Sequence, residues 1–475
     1  MRRRLKLVVA VVGLVGLGAT AGFASSSFTD VPAGRYYTDA VEWAFENGVT
    51  TGTSATTFSP EDPVTRGQNV TFAYRYDQNV VQPALDALDT LDELSCTATQ
   101  VVINDNGWRC ANPVLKPSFQ AAGANRALVT EGRVGQFTSV AIGADGNPII
   151  SHYDNTNGDL ELYVCANPTC TTGTNRTLVT TGIVGYFTSV AIGADGNPII
   201  SHHDDTNGDL ELYVCANPTC TTGTNRTLET TGIVGYYTSI AIGADGNPII
   251  SHLDDTNEDL ELYVCANPTC TTGTNRTLET TGSVGWFSSV AIGADGNPII
   301  SHHDSTNDDL ELYVCDNPTC TTGTNQTLET AGSVGYDPSV AIGVDGDPVI
   351  GHYDNTNADL ELYVCDNPTC TTGTNRTLET AGFVGRRTSL AIGAAGNPIL
   401  SHQDDTGDDL ELYVCDNPSC GTGTNFTLAT TGRSGYDTSV AIGVDGIPVI
   451  SHNNIDEGDL ELSFGPTTTY TVTFE

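Results

Sequence analysis

Histidine, aspartate and cysteine are the residues here with chemistry to offer, and each recurs every fifty positions. His152, His202, His252, His302, His352, His402 and His452 hold one register. Asp154, Asp204, Asp254, Asp304, Asp354 and Asp404 follow two residues later, with Asn454 in the last copy. On a strand an imidazole and a carboxylate two residues apart share one face, because strand side chains alternate. Such a face could line a ligand channel, bind a metal, or bond internally to aspartate or backbone groups between strands, and all three readings stay open. The opposite face ends at Tyr153, a position that reads Tyr, His, Leu, His, Tyr, Gln and Asn along the chain. That tolerance points to solvent.

Two turns add hard oxygen donors. The segments Asp154–Glu161 and Gly143–Asn147 are rich in Asp and Asn, and calcium is the cation such oxygens suit. Asp154, Asp159, Asp204 and Asp209 are the ligands this reading names. The twelve-residue spacing of an EF-hand is missing, and Asp and Asn are also ordinary turn formers. Without an ion, the repeated turns would present similar shallow sites for weak, multivalent glycan or protein contact. No GxSxG, HExxH or glycine-rich strand-to-helix loop is present, and nearly every candidate group recurs seven times. A catalytic centre needs one asymmetric set, so the expectation is a protein that is not an enzyme.

Of the fourteen cysteines, twelve form pairs at a constant interval: Cys165/Cys170, Cys215/Cys220, Cys265/Cys270, Cys315/Cys320, Cys365/Cys370 and Cys415/Cys420. Each reads CxNP(T/S)C, a turn closed by its own ends, which suits a local disulfide in an exported protein. A zinc site would need four converging N or S ligands. Cys110 matches Cys165 but has Leu115 where a partner would stand, so its expected partner is Cys96. The last copy has lost both thiols together, to Gly465 and Tyr470. Loss in pairs is what disulfides predict.

These groups are carried on a repeat of fifty residues. Residues 201–250 and 251–300 differ at only seven positions, so sameness between copies can reflect duplication alone. Each copy holds four strand-like segments; in the first these are Ser139–Gly143, Pro148–Asp154, Leu160–Cys165 and Arg176–Thr180. Asp145-Gly146 fits a tight hairpin with positive φ at both central positions. Four short antiparallel strands per unit describe a propeller blade, which hides its faces and edges only within a ring. The SVAIG-type segment starts seven times, at Ser139 and every fifty residues to Ser439. The expected fold class is therefore all-β, a seven-bladed β-propeller over residues 99–475. Either the upstream segment ending in Asn125–Leu128 or the final Thr469–Phe474 should complete the last blade.

The amino-terminal quarter differs in kind. Residues 1–24 have a basic start (Arg2, Arg3, Arg4, Lys6), an apolar run and small residues before Ala24, the pattern of a cleavable export signal. No later segment is apolar for long enough to span a membrane. Tyr36–Asn47 has helical spacing, with Tyr37, Val41, Ala44 and Phe45 on one face and Gly48 as its stop. Thr65 is placed to cap a second helix. Leu85, Leu88 and Leu91 suggest a short helix in a linker over 77–98.

Residues 28–76 carry Phe28-Thr29-Asp30-Val31-Pro32, Ala40-Val41-Glu42-Trp43, Gly48–Gly52, Thr57-Phe58-Ser59-Pro60 and Pro63-Val64-Thr65-Arg66 in order. This stretch resembles a surface-layer homology (SLH) domain. The resemblance implies a small helical module attached to bacterial cell-wall polysaccharide, with Arg66 near the anionic glycan. Gln68 stands where that motif usually carries an acid, and one copy is present. The later repeats resemble uncharacterised secreted bacterial propeller-like repeats, a likeness that implies no function.

Charge bounds the partners. With 58 acidic and 18 basic residues the formal net charge is -40, which sets the chain against nucleic acid and anionic surfaces. The repeats themselves generate it, as Asp154, Asp159, Glu161 and Asp195 outnumber Arg176 in residues 151–200. The expected protein is secreted and wall-associated, binding or displaying glycan or protein through its propeller. A structural envelope component without a specific ligand and a secreted carbohydrate-active enzyme are the alternatives.

Overall fold

The computed structural model describes residues 27–31, 38–60, 66–81, 101–104, 108–111, 113–119, 125–466 and 468–474. The leader, Thr65, the leucine segment of the linker and Cys96 lie outside them, and so does the Cys96–Cys110 pairing. The chain divides into two compact units, residues 1–116 with 471–475, and residues 117–470.

In the first unit, α1 spans Thr38–Glu46 and α2 spans Arg66–Tyr76, followed by a π-helical turn at Asp77–Val81. Gly48 takes φ 68°, the left-handed conformation that ends a helix. Phe28, Val31 and Val41 form a small core against Phe58. Phe45, expected on the buried face, is exposed, although its ring meets Phe28 edge-on at 5.0 Å. Asp30 ties two motif segments together, accepting the N–H groups of Phe58 (2.8 Å) and Ser59 (2.6 Å). The Phe58 N–H chiefly holds this carboxyl below its ordinary pKa.

The strands begin with the hairpin of β1 (Val101–Asn104) and β2 (Trp108–Ala111), then β3 (Pro113–Phe119) and β4 (Arg126–Val129). Blade 1 follows as β5 (Gln136–Ile142), β6 (Pro148–Asp154), β7 (Asp159–Cys165) and β8 (Gly173–Val179), hydrogen-bonded in that order. Five further blades repeat it as β9–β12 in 184–229, β13–β16 in 234–279, β17–β20 in 286–329, β21–β24 in 336–379 and β25–β28 in 384–429. Blade 7 takes β29 (Tyr436–Ile442), β30 (Pro448–Asn454) and β31 (Asp459–Phe464) from the carboxyl end. Its fourth strand is β4, from the amino-terminal side. The protein is a seven-bladed propeller closed by its own first blade strand. The final β32 (Thr468–Phe474) pairs with β3 in a separate two-stranded sheet.

Three devices hold the ring. Seven apolar clusters each straddle two adjacent blades; one joins Leu160 and Leu162 of blade 1 to Val184, Val190 and Ile200 of blade 2. Both leucines are wholly buried, and each such side chain contributes about 1.5–3 kcal/mol. Hydrogen bonds then link the innermost strands: Val190 N–H donates to Ser139 Oγ, Ile240 to Ser189, and so on round to Val140 and Ser439, at 3.0 to 3.2 Å.

Disulfides are the third device, and they close the loops between the third and fourth strands of six blades. They join Cys165–Cys170, Cys215–Cys220, Cys265–Cys270, Cys315–Cys320, Cys365–Cys370 and Cys415–Cys420, as the spacing predicts. The first cysteine of each pair ends its third strand. The second, at Cys170, Cys220, Cys270, Cys320, Cys370 and Cys420, takes a left-handed φ of 48° to 52°, which the spacing does not reveal. Its N–H donates to the carbonyl of the loop asparagine, as Cys220 does to Asn217 at 2.9 Å. All twelve cysteines are buried.

The close approach of blades explains the glycine at the start of each first strand. A Cβ on Gly185 would sit 2.9 Å from Leu160 Cα of the preceding blade. The hairpin after β5 is simpler than expected, since positive φ falls on Gly146 (82°) and not on Asp145.

Candidate functional site

The repeated histidines lie inside the blades. All seven have no exposed surface. In the first six blades Nε2 faces an asparagine oxygen on the fourth strand, from His152–Asn175 at 3.1 Å to His402–Asn425 at 3.4 Å. In five blades the backbone N–H of the glycine at the start of the first strand points at Nδ1, as Gly135 does for His152 at 3.4 Å. An acceptor at Nδ1 and a donor at Nε2 define the neutral tautomer. The relay continues outward: Asn175 Nδ2 donates to Glu161 Oε2 (2.6 Å), and Thr177 Oγ1 to Glu161 Oε1 (2.8 Å). Blade 7 borrows Asn125 for the same task, 3.0 Å from His452. Burial drives these histidines well below their usual pKa, to about 4 for His302 and His402 and about 3 for His452. The histidine face is an internal network, not an exposed one.

Asp154 is not its histidine's partner. Its Oδ1 accepts the N–H groups of Thr156 (2.7 Å) and Asn157 (3.2 Å), and its Oδ2 accepts the Asn157 amide (2.7 Å). Asp204, Asp254, Asp304 and Asp354 do the same, while Asp404 keeps the first bond. These donors make the carboxylate the organiser of a turn. Asp159 and Asp209 stand opposite Asp154 and Asp204 in register, and burial followed by that neighbouring charge raises the pKa of both. Among the described residues the one trio of carboxylates close enough to share an ion is Glu457, Asp459 and Glu461 of blade 7.

The position of Tyr153 is also buried, against expectation: Tyr153 is 3% exposed, His203 1% and Leu253 0%. Its variability has a different cause. It packs under the first strand of the neighbouring blade, as Tyr153 does on Tyr186 (ring centroids 4.5 Å) and His303 on Tyr336 (4.1 Å). Those strand starts border a cavity of about 510 Å³.

One residue from every blade lines this cavity: Phe137, Phe187, Tyr237, Phe287, Asp337, Arg387 and Asp437. All seven adopt left-handed φ, between 47° and 56°. For such side chains this conformation is strained, and strain of this kind gathers at functional sites. The lining has two halves. Phe137, Phe187, Tyr237 and Phe287 touch in sequence, with centroids 4.4 to 4.6 Å apart. Burial pushes the Tyr237 hydroxyl up to about 12.

The other half is charged and interlocked. Arg387 N–H donates to Asp337 Oδ2 (2.8 Å), and Phe137 N–H to Asp437 Oδ2 (2.9 Å). Arg387 Nε lies 3.5 Å from Asp437 Oδ1, its Nη1 donates to Gln403 Oε1, and its guanidinium covers the Tyr436 ring at 4.1 Å. Arg386 pairs with Asp405 (2.9 Å). Desolvation raises the Asp337 pKa despite the opposing Arg387 N–H and charge. The side chains of Arg387 and Asp437 keep 30% and 25% of their surface, enough to meet a ligand.

Sequence reasoning passed over this set because it followed what repeats. The signal was the two residues before each (T/S/P)S pair, which read QF, YF, YY, WF, YD, RR and YD. Few positions in the unit change so much in chemistry.

Residues 27–68 match the S-layer homology domain. That match associates the chain with a cell surface. Arg66 is the first residue of α2 in this segment. No curated protein matches the chain in sequence. Solved structures similar to it include Kuenenia stuttgartiensis hydrazine synthase, at 13% identity over 72% of this chain and 97% of that one, with TM-score 0.49. The intramolecular trans-sialidase from Ruminococcus gnavus is 9% identical over 71% and 95%, with TM-score 0.41. A mutant of AofleA from Arthrobotrys oligospora is 10% identical over 69% and 93%, with TM-score 0.42. None brings chemistry to this chain. Among the described residues no helix is long and apolar enough to cross a membrane.

Proposed function

We propose that this is an exported, surface-anchored binding protein. Its S-layer homology segment holds cell-wall polysaccharide, with Arg66 at the contact, and its propeller offers the axial cavity to a glycan or surface protein. One observation carries the reading. In a ring whose histidines and turn carboxylates recur from blade to blade, the cavity has an aromatic side and a charged side, so it can orient a ligand.

Co-sedimentation of the full chain with purified wall polysaccharide tests the anchor, and Arg66→Ala should reduce the bound fraction severalfold. A glycan and surface-protein array tests the cavity. Binding should fall in Phe187→Leu and Arg387→Gln while circular dichroism stays unchanged. Array binding indifferent to both changes would move the site elsewhere.

A second reading, a carbohydrate-active enzyme, draws support from Asp337, a carboxyl of raised pKa in the same cavity as Asp437. Release of reducing sugar from the bound glycan, lost in Asp337→Asn, would favour it.

A further inference from the structure

We infer that the axial cavity takes a neutral sugar ring, its carbon face against the aromatic arc and its hydroxyl edge toward Asp337 and Arg387. This deepens the binding reading and rests on it.

The aromatic arc supplies the first half of the match. Consecutive contacts from Phe137 to Phe287 make a continuous apolar wall across four blades. Phe137, Phe187 and Phe287 have no hydrogen-bonding group on their rings, so this wall suits the C–H face of a pyranose better than a polar edge.

The charged arc supplies the second half. Asp337 spends Oδ2 on the Arg387 N–H, leaving Oδ1 without a hydrogen bond among the described residues. Arg387 commits Nε toward Asp437 and Nη1 to Gln403, and among the described residues Nη2 makes no hydrogen bond. A carboxylate acceptor beside a guanidinium donor can bind two neighbouring hydroxyls, accepting from one and donating to the other.

Charge then selects among ligands that could stack. The lining sets Asp337 and Asp437 against Arg386 and Arg387, a formal balance, in a chain of net charge -40. Sugars bearing carboxylate or phosphate find no excess positive charge in the cavity and are opposed by the charge of the chain as a whole. Arg387 covers the Tyr436 ring, so an organic cation would meet a like charge there. A neutral polyol meets neither penalty. A cavity of about 510 Å³ is within the usual range for small-ligand sites.

Isothermal titration calorimetry on the full chain provides the test. The probes are the methyl glycosides of glucose, galactose, mannose and N-acetylglucosamine, beside sodium glucuronate, N-acetylneuraminate and choline chloride. At least one neutral glycoside should bind with Kd between about 10 µM and 5 mM, and the ionic probes at least about tenfold more weakly. Phe187→Leu and Arg387→Gln should each weaken the neutral sugar by about tenfold or more.

Tighter binding of glucuronate, neuraminate or choline, lost in the same variants, would overturn the neutral-sugar assignment and leave the binding reading intact. Neutral-sugar binding untouched by either variant would overturn both. If no probe binds, the inference fails, and the array measurement above decides the binding reading separately.

Discussion

At the residue scale, the histidine network has a direct consequence for pH. The folded protein keeps its histidines neutral down to about pH 4 for His302 and His402 and about pH 3 for His452, because burial penalises the charge. The unfolded chain protonates them near 6.5. Between those limits the unfolded state binds more protons, so this contribution falls as pH drops from about 6.5 to about 4, and to about 3 for His452. The raised pKa of Asp159 and its equivalents works in the opposite sense near the acidic end, since the folded state holds those protons more tightly. Thermal melts between pH 8 and 4 should show a declining Tm, and a flat profile would refute the account. Asn175→Ala should destabilise the ring by about 1–3 kcal/mol in urea titrations, since it strips a partner from both His152 and Glu161. The histidine period was plain in the sequence, but the partner was not. Asn175 lies 23 residues from His152 and reaches it only across two strand turns.

At the element scale, strand count and order follow from alternation and turn residues, and the blade emerges from them. Which terminal segment closes the ring does not. Thr469–Phe474 has the stronger strand pattern, yet the place beside β31 belongs to Arg126–Val129. The physical reason lies in the relay. Asn125, just before β4, satisfies His452 and Glu461 as its counterparts do in the other blades. No such asparagine accompanies the carboxyl-terminal strand. Removing residues 125–129 should therefore leave β31 as an open edge with an unpaired His452–Glu461 pair. Size-exclusion chromatography should then show self-association, and the Tm should fall; a monomer of unchanged Tm would count against this closure.

At the scale of the whole molecule, the ring has one seam. Blade 7 draws its strands from both ends of the chain, carries no disulfide, and closes with a four-residue strand. Every other blade has a cystine, and each small loop it closes contributes about 2 kcal/mol in the loop-entropy picture. Hydrogen exchange followed by mass spectrometry should show β29–β31 and β4 exchanging first. Reduction of the disulfides should narrow the difference between blade 7 and the rest. Uniform exchange before reduction would remove the seam from the account.

The sequence by itself determined the blade, the number of blades, the six cystine loops and the S-layer homology segment. Each of these rests on local spacing, which a chain displays without folding. Tertiary structure decided where that chemistry goes. The recurring His152 and Asp154 positions are consumed within the blades, because both faces of a middle strand are covered by neighbours. The variable residues at Phe137 and its equivalents, fifty positions apart in the chain, meet around one axis. Repetition along a chain becomes rotation in space, so the one place where seven copies converge is also the place where their differences add up to a site.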